Sequence, residues 1–166
     1  MILEDLLKPC LKLVVCGTAA GDRSADLKLY YAGRGNKFYS ILFTTGLTPF
    51  QLSPDEYKKL PEFGIGLTDV NKTQHGNDDG LSRSHFNVTG FEQKILKYQP
   101  KIVCFNGKAA AAAVLWSNPS RTRYVRYGLQ DYPIGQTKLF AAPSTSGSAN
   151  GEWDPAIWQE LGRLVK

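Results

Sequence analysis

Residues 11–38 read LKLVVCGTAAGDRSADLKLYYAGRGNKF, an apolar run followed by a long segment with four glycines and two adjacent tyrosines. The apolar run at 11–16 has the length and β-branched content of a buried strand. We interpret residues 17–36 as a loop beyond the carboxyl end of that strand, where α/β proteins commonly place a binding crevice. Glycines also serve plain turns, so the stretch by itself leaves both interpretations of the loop open.

The alternation of strand, loop and helix continues along the chain. Apolar runs predict further strands at 63–70, 101–105 and 137–142. Helical spacing and end signals predict helices at 37–45, 84–98, 109–116 and 154–165, with a shorter helix after Ser53. This order is typical of an α/β protein with a parallel or mostly parallel sheet covered by helices. The length favours one domain over residues 1–166.

Three of the segments that follow predicted strands are polar and rich in small residues: 17–36, 106–108 and 143–151. Because the carboxyl ends of parallel strands meet at one edge of a sheet, we expect these segments to lie side by side. Asp69, at the end of another predicted strand, is expected to join them. The sequence therefore predicts one crevice built from several loops.

The charge of the chain makes nucleic acid a reasonable partner. The net charge is +5 and the pI is near 9.1, which lies at the threshold of basic nucleic-acid-binding domains. A mildly basic surface without any partner would have the same composition, so charge does not decide the matter.

The three cysteines lack CxxC spacing and only two histidines occur. This composition argues against a zinc site and favours buried free thiols in a reducing compartment. No apolar run approaches the roughly 18 residues of a membrane span, and no signal segment is recognisable. We therefore expect a cytoplasmic protein, or a nuclear one in a eukaryote, without a membrane partner.

Four motifs occur in the order seen in uracil-DNA glycosylases: YAGRGNKF (31–38), FGIGLTDVNKT (63–73), KYQPKIVCFNGKAA (97–110) and PSTSGS (143–148). The chain resembles this superfamily over nearly its whole length. It is most similar to the mismatch-specific uracil/thymine branch and shares features with the hypoxanthine-DNA glycosylase-like branch. The resemblance implies a three-layer α/β/α sandwich with a four-stranded, mostly parallel sheet. It also implies an enzyme that flips uracil out of DNA and hydrolyses its N-glycosidic bond without a cofactor or metal.

One motif departs from the mismatch-specific pattern Gly-X-Asn-Pro-Gly, because residues 17–21 here read GTAAG. The Asn that positions the attacking water in that branch is replaced by Ala19. In the hypoxanthine-like branch the Asn that matches Asn36 is thought to take over, and Asp22 is our second candidate. Asn36 could instead cap the helix that follows, and Asp22 could simply pair with Arg23.

The resemblance also assigns a base pocket. Tyr31 matches the aromatic residue on which the flipped base stacks, with Tyr30 as the alternative. The backbone amides of the turn could donate to base carbonyls, through Thr18, Ala19 and Gly21. Asp69 matches a position that reads the base edge, where a carboxylate would accept from a ring N–H. Each residue could also be purely structural, the tyrosines closing the loop and Asp69 ending a strand.

DNA phosphates are expected at two further places. Asn106 and Lys108 flank a glycine at a predicted helix start, which offers amides and a cation to an anion. Ser144 and Ser146 supply hydroxyls in the turn after the last strand.

The residues that wedge into the duplex in the family follow that turn. Here Gly147 and Ser148 occupy the position, so we expect a weak wedge. Arg34 or Asn150 could compensate for it.

Three functions remain open from the sequence. The first is a monomeric, monofunctional DNA glycosylase that starts base excision repair at uracil, with xanthine and hypoxanthine as further candidate substrates. The second is a catalytically weak protein that binds damaged DNA or abasic sites. The third, considered without the resemblance, is an α/β enzyme or binding protein for a small molecule.

Overall fold

The computed structural model describes residues 1–166, apart from the side chain of Asn150. The described chain contains the strands β1 (Leu13–Gly17), β2 (Ile65–Asp69), β3 (Ile102–Asn106), β4 (Gly128–Leu129) and β5 (Lys138–Ala142). Its α-helices are α1 (Asp22–Leu27), α2 (Phe38–Thr44), α3 (Val88–Tyr98), α4 (Lys108–Leu115) and α5 (Pro155–Val165). A longer 3₁₀-helix spans Pro54–Phe63, and Ser53 and Glu56 cap it as a capping box.

The strands form one sheet in the order β2-β1-β3-β5-β4. The first four are parallel to one another, as the alternation of strands and helices predicts. The fifth, β4, pairs antiparallel with β5 at one edge through two residues only. The expectation of four strands was therefore one short, because a two-residue strand has no periodic pattern in the sequence.

Both faces of the sheet are covered, which confirms the α/β class. Along β1, Leu13 and Val15 enter one core cluster while Val14 and Cys16 enter the other. The first cluster packs against α2 and α5 through Phe38 and Trp158. The second packs against α3 and against α4, whose five consecutive alanines are all buried. A strand buried on both sides reads as a continuous apolar run, which is why β1 was recognisable.

The sequence-based prediction missed one helix and placed the start of another too early. Residues 17–36 are not all loop, because α1 lies within them and is followed by Lys28 in a left-handed conformation. Helix α3 begins at Val88 and not at residue 84, since the Asn87 side chain accepts the Gly90 amide and caps the helix there.

Helix α5 ties the last loop of the site to the core. Asp154 caps it as predicted, accepting from the Ala156 amide. Trp158 is fully buried, and its indole Nε1 donates to the Pro143 carbonyl at 2.9 Å. Leu164, in the last turn of the helix, is 40% exposed. Within the described residues, no helix is long and apolar enough to cross a membrane.

Candidate active site

A cleft of about 630 Å³ opens at the carboxyl edge of the sheet, a volume within the usual range of small-molecule and base pockets. The loops after β1, β3 and β5 all line it, as the sequence predicts. The residues that line the cleft include Gly17, Thr18, Ala19, Gly21, Tyr31, Asn36, Asp69, Asp78, Asn106, Lys108, Ser144, Ser146 and Ser148. Parallel strand ends thus bring together residues from four separate stretches of chain.

Asp69 lies at the floor of the cleft, where β2 ends, and only 6% of it is exposed. Burial raises its pKa to about 6, against the opposing effects of Lys72 and of a hydrogen bond with the Gly17 backbone. The carboxyl group therefore changes its protonation near neutral pH, which is unusual for Asp and common at functional sites.

Tyr31 forms the wall beside Asp69. Its backbone is left-handed (φ 55°), and its ring lies 4.1 Å, centroid to centroid, from that of Phe38. Its hydroxyl is buried, and its proton has no acceptor among the described residues, while the Asn106 side-chain amide lies near enough to lower the pKa of the phenol. Burial and the nearby Asp69 raise the pKa of Tyr31 well above its ordinary value, so the hydroxyl remains a donor. A buried donor without a partner marks a place for a ligand acceptor.

Tyr30, the alternative stacking residue, is committed to the core. It is 1% exposed, and its hydroxyl donates to the Glu4 carbonyl at 2.9 Å. Of the two tyrosines, Tyr31 is the one with a free polar group in the cleft.

Asn36 lines the cleft and stands one residue before Lys37, the N-cap of α2. Its Oδ1 accepts the amide of Phe38, the first helical residue, at 3.0 Å, which gives it a capping role at the start of the helix. A carbonyl oxygen has two lone pairs, and the second remains available for a water molecule. Capping holds the side chain in one orientation and does not exclude a role in the reaction.

Asp22 lies outside the cleft. It is exposed at the start of α1, and its carboxylate contacts Nδ1 of His75 at 2.7 Å. The expected pair with Arg23 does not form, since the Arg23 guanidinium donates from Nε to the Ala32 carbonyl. The structure therefore separates the two candidates for holding water, and only Asn36 faces the site.

The segment 71–80 forms a side of the cleft that the sequence did not suggest. Its backbone runs beside the turn after β1, with Asn71 donating to Thr18 and Gly76 to Ala20 at 2.7 and 2.9 Å. The Thr18 hydroxyl donates to the carboxylate of Asp78, an otherwise exposed residue, at 2.5 Å. Nothing in the pattern NDDG distinguishes this residue from an ordinary loop acid.

Gly17 lies against both Asp69, at the floor of the cleft, and Tyr31, at its wall. A Cβ there would lie 2.6 Å from Asp69 Oδ1 and 3.2 Å from the Tyr31 hydroxyl oxygen. Gly21, in the same turn, has nothing within 4 Å of its Cβ position, and its φ of −68° suits any residue.

We expect Gly17→Ala to displace the Asp69 carboxyl group and to lower stability by about 1–3 kcal/mol, as overpacking usually does. Gly21→Ala should change stability by less than about 0.5 kcal/mol. Urea unfolding of both variants measures the difference. Equal stabilities would show that the floor is loosely packed.

The side chain of Asn106 has a structural task that the phosphate assignment did not foresee. Its Nδ2 donates to the Thr145 hydroxyl and its Oδ1 accepts the Thr145 amide, both at 2.9 Å. It thereby fastens the loop after β5 to the end of β3. These two bonds brace the cleft, and the phosphate contact of Asn106 stays a prediction.

Lys108 stands at the rim of the cleft. Its Nζ lies 4.5 Å from the ring centroid of Tyr127 and 3.4 Å from a Glu152 carboxylate oxygen. The side chain is only 22% exposed. These contacts hold a positive charge at the mouth of the cleft.

The serine-rich turn is organised by its own hydroxyls. Ser144 Oγ accepts the Ser146 amide, and the Ser146 and Ser148 hydroxyls lie 2.9 Å apart. A Cβ on Gly147 would approach the Arg34 carbonyl to 3.0 Å. A bulky side chain could be placed at position 147 only by moving that backbone, which agrees with the weak wedge expected from the sequence. The Arg34 side chain is exposed outside the cleft, and that of Asn150 lies outside the described part of the chain.

The family model for the uracil DNA glycosylase superfamily matches residues 4–162. The chain belongs to the uracil DNA glycosylase superfamily. Its structure also superposes on the solution NMR structure of a candidate uracil DNA glycosylase from Methanosarcina acetivorans, with a TM-score of 0.68. The two chains are 20% identical over 98% of this chain and 96% of the other, which establishes a shared fold. Membership in the superfamily makes the protein a DNA glycosylase, a hydrolase of base excision repair, and rules against the small-molecule hypothesis.

Proposed function

We propose that this glycosylase is monofunctional and removes uracil, and also xanthine and hypoxanthine, from DNA. The observation that supports the proposal is that the Tyr31 hydroxyl and the Asp69 carboxyl both lie next to Gly17 at the floor of the cleft, without a hydrogen bond to each other. Uracil, xanthine and hypoxanthine all present a ring N–H next to a carbonyl oxygen. A carboxylate accepts from that N–H and the phenol donates to that oxygen, so the two groups match one shared edge.

The reaction needs a base outside the helix, a water near C1′ and a stabilised leaving group. The Tyr31 hydroxyl donates to the base carbonyl as negative charge develops there, and this contact at the edge of the base takes the place of stacking on the ring. The C1′–N bond breaks, its electron pair stays on the base, and the water oxygen bonds to C1′. One water proton is released to solvent or to the departing base.

We propose that Asn36 orients the attacking water. An oxocarbenium-like sugar is reactive enough that an oriented water suffices without a strong base. The second lone pair of Asn36 Oδ1 can accept a proton of that water while the first stays bonded to Phe38. Ala19, in the place where the mismatch-specific branch has Asn, leaves room for larger bases, in keeping with a range that includes purines.

A second function, abasic-site or damaged-DNA binding without turnover, is favoured by one observation. Asn36 already has a structural partner, and the usual catalytic amide is replaced by Ala19. If capping is its whole role, the cleft would hold an extruded residue and leave its glycosidic bond intact.

Labelled strands that carry one uracil, xanthine or hypoxanthine, single-stranded or paired, separate the two functions. We expect strand breaks only after alkali treatment, because base removal without lyase chemistry leaves an alkali-labile site. Breaks without alkali would contradict the monofunctional assignment. Intact strands for every base, together with tight binding to an abasic duplex, would establish the binding function in its place.

A further inference from the structure

A cluster of arginine and aromatic side chains, which we call the Arg–aromatic patch, lies after α4: Trp116, Arg121, Arg123 and Tyr124. The Trp116 and Tyr124 rings lie 5.4 Å apart between centroids, at 41°. The Arg121 and Arg123 guanidinium carbons lie 5.9 and 5.2 Å from the Tyr124 ring centroid. The short 3₁₀-helix Thr122–Tyr124 presents these residues together.

The two rings are unusually accessible for their size. Trp116 is 45% and Tyr124 is 50% exposed. An extra cation lies nearby, because Arg83 donates to the Ser117 carbonyl at 2.9 Å. The segment 116–124 contains no acidic residue, so the surface combines two half-exposed aromatic rings with two arginines.

The patch is continuous with the cleft. Ser120 and Thr122 line the cleft and also a neighbouring depression of about 400 Å³, which Arg121, Arg123 and Tyr124 complete. A strand whose extruded nucleotide occupies the cleft would leave it across this depression.

We propose that the Arg–aromatic patch binds single-stranded DNA next to the extruded nucleotide. One flanking base stacks on Tyr124 and Trp116, and the arginines contact the phosphates on either side. Aromatic faces stack well on unpaired bases, whereas bases in a duplex already stack on one another. The position of the bound strand beside an extruded nucleotide rests on the proposed function, whereas the binding of a lesion-free strand does not.

Fluorescence anisotropy with a labelled, lesion-free 12-mer oligothymidine tests the patch without any excision. We expect Tyr124→Leu to weaken binding at least about fivefold, the low end of base–aromatic stacking. Tyr124→Phe keeps the ring and should stay within about twofold of the wild type. Arg163→Ala removes one positive charge from the last turn of α5, away from the patch. As the control for a change in net charge, it should also bind within about twofold of the wild type.

Tryptophan emission gives a second readout of DNA binding at the patch. The chain has three tryptophans, of which Trp158 is buried in the core and Trp153 is partly exposed. In a Trp153→Phe background, added oligothymidine should quench the emission, and a further Trp116→Phe change should abolish most of that quenching. The proposal is overturned if Tyr124→Leu binds the single strand like the wild type while remaining folded, or if quenching survives when both Trp116 and Trp153 are replaced by Phe. Failure of excision with intact strand binding would overturn only the proposed function.

Discussion

Replacing Asn36 with alanine is expected to lower the single-turnover rate of uracil excision by about 10²–10³-fold, the usual cost of removing one preorganised polar group from an active site. The reason is the loss of the Oδ1 atom that both caps α2 and faces the cleft. Stability should fall as well, by about 1 kcal/mol, because the Phe38 amide loses its cap. Rapid-quench excision assays and urea unfolding measure the two effects separately.

Asn36→Asp is the matched control for the acceptor role. A carboxylate keeps an oxygen for the Phe38 amide and another for the water, so we expect activity within about tenfold of the wild type and an unchanged fold. Asp22→Ala should leave the rate within about threefold, because Asp22 pairs with His75 outside the cleft. If Asn36→Ala keeps nearly the wild-type rate and Asp22→Ala is slow, Asp22 and not Asn36 orients the attacking water.

The second large effect is expected at Asp69, where Asp69→Asn should stabilise the folded protein by about 2–3 kcal/mol at pH 7. The folded pKa is about 6 against an ordinary value of 3.8, so between these values the native state binds more protons than the unfolded state. The contribution of Asp69 to stability is therefore most favourable below pH 4, declines as pH rises from about 4 to 6, and changes little above that. Asparagine resembles the neutral acid and avoids this decline.

Urea unfolding at pH 4 and pH 7 shows whether the sign is right. The gap between Asp69→Asn and the wild type should be small at pH 4 and largest at pH 7. Asp22→Asn removes the same charge from an exposed position and should shift stability by less than about 0.5 kcal/mol. A gap that is equal at both pH values would mean that the carboxyl group does not titrate in this range.

The same substitution should cost activity. If the Asp69 carboxylate accepts the ring N–H of uracil, wild-type excision should rise between pH 5 and pH 7 with an apparent pKa about 6. The Asp69→Asn enzyme should be slower at pH 7 and lack this rise. A rise that persists in the variant would assign the titration to another group, with Asp78 as the next acid lining the cleft.

The sequence predicted the four parallel strands because each is a short apolar run between turn residues and is buried on both faces. It missed β4, whose two residues become a strand only because β5 lies beside them. It also missed α1, since the segment DRSADL is short, polar and without a capping side chain. Length and periodicity carry the prediction, and elements that lack both depend on their neighbours.

The positions of Tyr31, Asn36 and Asp69 in one cleft also follow from the sequence, because strand ends of a parallel sheet meet at one edge. Their partners do not. Asn106 and Thr145 are 39 residues apart, Asp22 and His75 are 53 apart, and Thr18 and Asp78 are 60 apart.

The fold class, the family resemblance and the set of residues that could reach the cleft follow from residue type and spacing along the chain. The hydrogen bonds and the burial of those residues are set by contacts in the folded protein. Asn106 is bonded to Thr145 and Asp22 to His75, while the proton of the buried Tyr31 hydroxyl has no acceptor and burial raises the pKa of Asp69 to about 6. Hydrogen bonding and desolvation arise between segments distant in sequence, so no local pattern records them.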